Sequence, residues 1–180
     1  PIWSLQVFED PSGQASIADV RAQAAAGNFK THDNATLNAG YSRSAFWLKI
    51  DLHYRPSNPG AQRTWLLELA YPPLDHLDLY LPDAHGDFHL IRQTGDALPF
   101  ASREIRQNNY LFDLTFAPDQ QQTVYLRLAS EGSIQAPVTL WSSTAYLEDQ
   151  PVRLYVLGII YGVLLGMVVY NLFIYLSVRD

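Results

Sequence analysis

The stretch from Leu154 to Val178 constrains this chain more than any other. It reads LYVLGIIYGVLLGMVVYNLFIYLSV and holds no Asp, Glu, Lys, Arg or His. About 25 residues at about 1.5 Å each exceed the roughly 30 Å hydrocarbon core of a bilayer. Arg153 precedes the stretch and Arg179-Asp180 follows it. Tyr155 and Tyr175 lie near its two ends, at the depth of interfacial aromatic belts. A buried helix of a soluble protein rarely runs this long without a charge, so the sequence predicts a membrane-spanning helix over 151–180. Gly158, Gly162 and Gly166 recur every four residues and share one helical face. Small residues at that spacing let another helix approach closely. Asn171 is the one strongly polar side chain at depth, and its amide calls for a partner on a neighbouring helix. Further helices of the same chain, or of a partner chain, are therefore expected around it.

About 150 residues come before the span, enough for one domain with a sizeable core. Charged residues make up 17%, aromatics 13%, and there are 11 Pro and 10 Gly, a balance that suits a loop-rich β domain rather than a disordered segment. The net charge of -6 argues against a nucleic-acid partner. With no cysteine, neither disulfides nor thiolate metal sites are open to the chain. The first residue is Pro1, which fits removal of a signal peptide or a trimmed start.

Alternation with period two dominates residues 1–150. Phe46, Leu48, Ile50 and Leu52 point one way, and Trp47, Lys49, Asp51 and His53 the other. The same pattern recurs in TWLLELAY, in residues 75–81 and 88–93, in residues 109–116, in residues 123–130 and in residues 137–142. Turn signals separate the runs: RPSNPGAQ, Pro72-Pro73, PDAHGD, Ala117-Pro118-Asp119 and Glu131-Gly132. A first strand is expected over residues 1–8. A short helix follows, with Ser16 as N-cap, Asp19 completing a capping box, and Gly27 as its stop. Residues 29–38 read as a polar, turn-rich connection. About eight or nine short strands with one helix predict an all-β antiparallel sandwich or jelly roll.

Four segments then carry a family resemblance: Phe46-Trp47-Leu48-Lys49, LLELAYPPLDHLDLYLPDAHGDF, TGDALPFASREIRQNNYLFDL and VYLRLASEGSIQAPVTLW. They resemble the type 2 extracellular sensor domain of bacterial seven-transmembrane receptors with diverse intracellular signalling modules. GIIYGVLLGMVVYNLFIYLSVRD is similar to the first membrane helix of those receptors. The resemblance implies a periplasmic jelly roll similar to carbohydrate-binding modules over 1–150, anchored in the bacterial inner membrane. It also implies six further helices and a cytoplasmic output module. Members include diguanylate cyclases, phosphodiesterases and hybrid histidine kinases of the LadS and RetS kind.

No motif in the sequence carries catalysis. The five His form no HExxH, and neither a GxSxG nor a phosphate-binding loop occurs. Asp75, Asp78, Asp83 and Asp87 offer carboxylates for a glycosidase, a competing reading that solvated strand and turn positions explain better. Ligand binding is the stronger expectation. Sugar sites combine aromatic rings with planar polar groups, and the outward strand positions supply both. Trp47, Lys49, Glu68, Asp78, Tyr80, Tyr125 and Arg127, with Arg103 and Arg106 from a loop, are the expected ligand residues. Calcium is the other ligand considered, with Glu9, Asp10, Asp33 and Asn34 as oxygen donors in loops. A homodimer or a partner sensor remains a third use of the domain.

The glycine face yields a test. A full-length receptor carrying Gly162→Trp should lose signalling while residues 1–150 melt as in the wild type, because bulk at the crossing point blocks repacking. Unchanged signalling in that receptor would remove the glycine face from the mechanism.

Overall fold

The structure is a computed structural model that describes residues 2–32, 36–56, 58 and 60–178, and their side chains except those of residue 2 and residues 150–154. The chain divides into two compact units, Pro1–Trp141 and Ser142–Asp180. The first is built from β1 (Ile2–Asp10), α1 (Ile17–Ala25), β2 (Lys30–Thr31), β3 (Thr36–Tyr41) and β4 (Ala45–His53). It continues through β5 (Thr64–Leu69), β6 (His76–Pro82), β7 (Phe88–Thr94), β8 (Tyr110–Thr115), β9 (Gln121–Ala129) and β10 (Ser133–Ser142).

The strands form two sheets. One has six strands in the order β2-β1-β4-β9-β6-β7, the other four in the order β3-β10-β5-β8. The recorded pairings are antiparallel. Both sheets contribute to one apolar core. Leu48, Ile50, Val124 and Leu126 enter from the six-stranded sheet, and Leu67, Phe112, Ile134 and Val138 from the four-stranded one. This is a β-sandwich, consistent with the expected jelly roll. The inward positions follow the alternation read in the sequence, because successive side chains of a strand face opposite ways.

A second, smaller cluster lies on the other face of the six-stranded sheet. Val20 of α1 and Phe29 pack with Trp47 of β4 and Tyr125 of β9. Phe8, Ile17, Ala24, Tyr80 and Phe88 close around them. The helix starts where the sequence placed it. Ser16 Oγ accepts from the Asp19 amide at 3.3 Å, and Asp19 Oδ2 accepts from the Ser16 amide at 2.9 Å. This reciprocal box satisfies two amides that a helix start leaves without partners.

Three boundaries differ from expectation. Residues 29–38, read as a connection, hold β2 and the start of β3. Their polar side chains hid them, since β2 and β3 are edge strands with mostly exposed positions. The last strand begins at Ser133 rather than 137. The second unit is a helix, α2, running from Ser143 to Val178, so helical structure begins ahead of Pro151 and passes through it. Proline lacks an amide hydrogen and so removes one bond from such a helix.

α2 is exposed from Tyr155 to Val178 and is long and apolar enough to cross a membrane. Among the described residues, nothing beyond the helix backbone and the two chain neighbours lies within 4 Å of the places that Cβ atoms would take at Gly158, Gly162 and Gly166. Asn171 Nδ2 donates to the Met167 carbonyl at 2.8 Å, one turn back. That bond uses one of the two hydrogens of the Asn171 amide.

One backbone position locks the sandwich. Gly95 has φ +145°, and a Cβ there would sit 1.9 Å from the Asp75 carbonyl oxygen. The close approach serves two bonds, Asp96 N to Leu74 O at 2.8 Å and Ala97 N to Asp75 O at 3.2 Å. Gly95→Ala should therefore lower stability by roughly 2–4 kcal/mol, from strained backbone plus overpacking. Urea unfolding measures it; a midpoint equal to that of the wild type would show that this loop yields freely.

Candidate functional site

The outer face of the six-stranded sheet can be read in rows, because paired residues of neighbouring strands lie side by side. The first row is Phe8, Trp47, Arg127, Asp78 and Gln93. The second is Gln6, Lys49, Tyr125 and Tyr80. The third is Ser4, Asp51 and Thr123, and the fourth ends on His53 and Gln121. Six of the nine expected ligand residues thus share one face of one sheet: Trp47, Lys49, Asp78, Tyr80, Tyr125 and Arg127.

α1 changes what that face can do. Trp47 is fully buried and Tyr125 nearly so, because the helix packs over them. The outward direction read from the sequence holds, but the exposure does not. The ring of Trp47 lies 5.4 Å from that of Tyr80, and the rings of Phe88 and Tyr125 are 5.0 Å apart in an edge contact. Burial, with the Asp78 charge adding to it, pushes the Tyr80 hydroxyl above its usual range. Burial does the same for Tyr125, with Asp51 adding.

Asp78 and Arg127 form a largely buried pair at 3.4 Å. Arg127 Nη2 also donates to the Gly13 carbonyl at 2.7 Å and so ties the loop before α1 to the sheet. Asp78 Oδ1 and Trp47 Nε1 are buried with no hydrogen-bond partner among the described residues.

The other expected ligand residues lie elsewhere. Glu68 belongs to the four-stranded sheet and is 2% exposed. Asn109 Nδ2 and Trp141 Nε1 each donate to its carboxylate at 2.7 Å. A buried carboxylate needs such donors, so Glu68 organises its sheet rather than facing solvent. Arg103 donates to the carbonyls of Gln107 and Asn108 and stacks over Phe100 and Tyr110, 5.0 and 4.5 Å from their centroids. It shapes the loop of residues 100–110. Arg106 is exposed in that loop. Alternation alone could not reveal which strands share a sheet.

The third and fourth rows remain open. At that end of the sheet lies a cleft of about 440 Å³, lined by Trp3, Ser4, Asp51, Leu52, His53, Gln121, Gln122 and Thr123. Its size falls within the range of small-molecule sites. Lys49 Nζ and Thr123 Oγ1 hold the Asp51 carboxylate at 2.5 and 2.6 Å. Arg55 Nε donates to His53 Nε2 at 3.2 Å, which leaves the ring proton on Nδ1. Asp51 and His53 stood in the outward set of the sequence. Trp3 and Ser4 lay in the expected first strand without a face assigned to them, and Gln121 lay outside the expected strands because β9 begins two residues before 123.

The calcium candidates are only partly in view. Asp33 and Asn34 lie outside the described residues. Glu9 Oε1 accepts from Ser44 Oγ at 2.7 Å. Asp10 accepts from the amides of Ser12 and Ala15 at 3.0 and 2.9 Å and from Ser12 Oγ at 2.6 Å. Burial works against its ionisation, but the Ser12, Ala15 and Gly13 hydrogen bonds outweigh it and hold the carboxyl below its usual range. Asp10 thus serves its own turn. Among the described residues, no three His, Asp or Glu side chains converge as a metal site would require.

The comparisons with known proteins agree with this architecture. A family model described as 7TMR-DISM extracellular 2 matches residues 3–142. The chain belongs to that family. No curated protein matches it. The matched segment is the β-sandwich unit almost to its last residue, and one helix able to span a membrane follows. The chain is therefore the extracellular domain of such a receptor carried on a membrane helix, with residues 3–142 on the extracytoplasmic side.

Asp75 supplies a pH test for the receptor domain. The Glu131 amide at 2.7 Å and the Ser130 hydroxyl at 2.8 Å hold its carboxyl below the ordinary 3.8. A depressed carboxyl contributes stability above its unfolded value and loses it as pH falls through the folded one. Melting temperature should thus drop below about pH 3.8, and Asp75→Asn should flatten that acid limb. An acid limb of equal steepness in both proteins would assign the effect to other carboxylates.

Proposed function

We propose that this domain is a ligand sensor and that a polyhydroxylated, carbohydrate-like molecule binds in the open cleft of the six-stranded sheet. The observation that carries the reading is the lining of that cleft. Asp51, His53, Gln121, Ser4 and Thr123 line its outward rows with donors and acceptors, while Trp3 packs against the sandwich core behind them. Sugars present a rim of hydroxyls that both donate and accept, and this lining offers both kinds of partner. Asp51 keeps acceptor capacity beyond Lys49 and Thr123, since a carboxylate has about four lone-pair positions.

The role is binding rather than chemistry. Asp75 and Asp78, the carboxylates that a hydrolase would need, are engaged with Ser130 and Glu131 on one side and Arg127 on the other. A ligand that prefers one arrangement of the domain shifts a population, and the shift passes through the membrane helix to a cytoplasmic kinase or cyclic-di-GMP module. The glycine face of α2 then packs against further helices of the receptor in the bacterial inner membrane.

Thermal unfolding of the full chain in nanodiscs tests this against oligosaccharides, calcium and EDTA. A ligand specific for the folded state raises the melting temperature by mass action. At least one neutral oligosaccharide should do so. Thr123→Val and Asp51→Asn should each weaken its binding by roughly tenfold, about 1.4 kcal/mol. A rise with calcium alone, reversed by EDTA, would move the sensor site to the acidic loops. A sugar response that ignores both substitutions would move it off this cleft.

A further inference from the structure

The aromatic layer beneath α1 has the composition of a ring-binding surface, yet it is covered. Trp47, Tyr80, Phe88 and Tyr125 provide the rings, and Asp78 and Arg127 flank them. Two of its polar atoms are left over. Trp47 Nε1 is a donor and Asp78 Oδ1 an acceptor, both buried and without a partner among the described residues. Native interiors seldom leave such groups unpaired. The two belong to the same row of the sheet, on either side of Arg127.

The cover is lightly attached. α1 has nine residues, too few to be stable as an isolated helix. Val20 is its one fully buried side chain, with Ile17 and Ala24 partly buried beside it. Beside the Asp10 bond to the Ala15 amide and the Arg21 guanidinium 5.3 Å from the Phe88 ring centroid, the polar ties include Arg127 to the Gly13 carbonyl and an exposed pair, Arg21 with Asp87, at 3.4 Å. Exposed pairs of this kind hold little. Gly13 and Gly27, at φ +65° and +76°, bracket the helix and supply pivots.

The covered surface also continues into the open cleft. Asp51 lies four residues beyond Trp47 on β4, on the same face and about 13 Å away at the usual strand rise. Thr123 lies two residues from Tyr125 on β9. Lifting α1 would join both surfaces into one track.

We propose that α1 is a lid, and that a chain of sugar-like rings seated in the cleft extends onto the Trp47–Tyr80–Tyr125 surface when the lid lifts. The hydroxyls of such a ligand both donate and accept, so they satisfy Trp47 Nε1 and Asp78 Oδ1 together. This rests on the reading of the cleft as a site for hydroxylated ligands. It adds a length requirement: one or two rings fill the cleft, and a longer chain holds the lid open.

The absence of cysteine makes the test direct, because any thiol introduced is the only one in the chain. Val20→Cys places a thiol under α1, and Ala136→Cys places one in the sandwich core; both native positions are fully buried. Each full chain, in nanodiscs, is treated with a thiol reagent under native conditions. The Val20→Cys chain should react at least about 100-fold faster than the Ala136→Cys chain, through local opening. Cello- and malto-oligosaccharides of four units should speed the first reaction several-fold, and the monosaccharides should not. Should Val20→Cys fold poorly, Ala24→Cys reports from the same helix.

Equal rates in the two chains would overturn the lid. Fast labelling that ignores a four-unit sugar, when that sugar raises the melting temperature of the wild type, would overturn the covered surface and leave the cleft standing. Failure of every sugar to shift melting would overturn the ligand class for cleft and covered surface alike.

Discussion

The first half of β4 must be buried on both sides, and much of the domain follows from that. Phe46 and Trp47 are neighbours in sequence, face opposite ways, and are both buried. A strand of this kind cannot lie in a sheet with one wet face. The four-stranded sheet covers the Phe46 side, with Leu48, Ile50 and Leu52 continuing the seal. α1 and Phe29 cover the Trp47 side. The cover on that side is short, so it ends before Asp51 and His53, where the strand turns polar and the cleft opens. The boundary between core and site on this face is thus the length of one nine-residue helix.

Arg127 links the two layers. It pairs with Asp78 within the sheet and donates to the Gly13 carbonyl in the loop that leads to α1. A pair this buried adds little net stability, because desolvation offsets its attraction, but losing one partner leaves a stranded charge. Its effect here is positional: it sets where the helix begins relative to the sheet. Glu68 does comparable work on the other sheet. There Asn109 and Trp141 hold a buried carboxylate, and Trp141 is the next-to-last residue of β10. The two positions that looked most like exposed ligand carboxylates, Glu68 and Asp78, are therefore internal braces.

Strand direction was legible wherever a strand buries one face. Period two gave the inward set on β4, β6, β8 and β9 because side-chain alternation is a local property of extended backbone. The capping box of α1 was legible for the same reason, since Ser16 and Asp19 are three residues apart. The edge strands β2 and β3 were not, because a strand with few buried positions carries no alternating signal. The start of α2 at Ser143 was also hidden, since Pro151 reads as a boundary even where a helix passes through it. The candidate site was half legible. Lys49, Asp51 and His53 belonged to the outward set of β4, Trp3 and Ser4 lay in a strand whose pairing with β4 the sequence did not show, and Gln121 came from a strand end without apolar residues.

By itself the sequence determined a charge-free helix long enough for a bilayer, a β domain ahead of it, and the face on which the core residues of β4, β6, β8 and β9 lie. It also carried the family, which residues 3–142 match. Those are properties of composition and of spacing along one chain. Tertiary structure decided which outward side chains meet water. Trp47 and Asp51 stand on the same face of the same strand, four residues apart, and only the placement of α1 buries the first and leaves the second in an open cleft. Exposure depends on what a distant segment covers, and alternation within a strand holds no record of that.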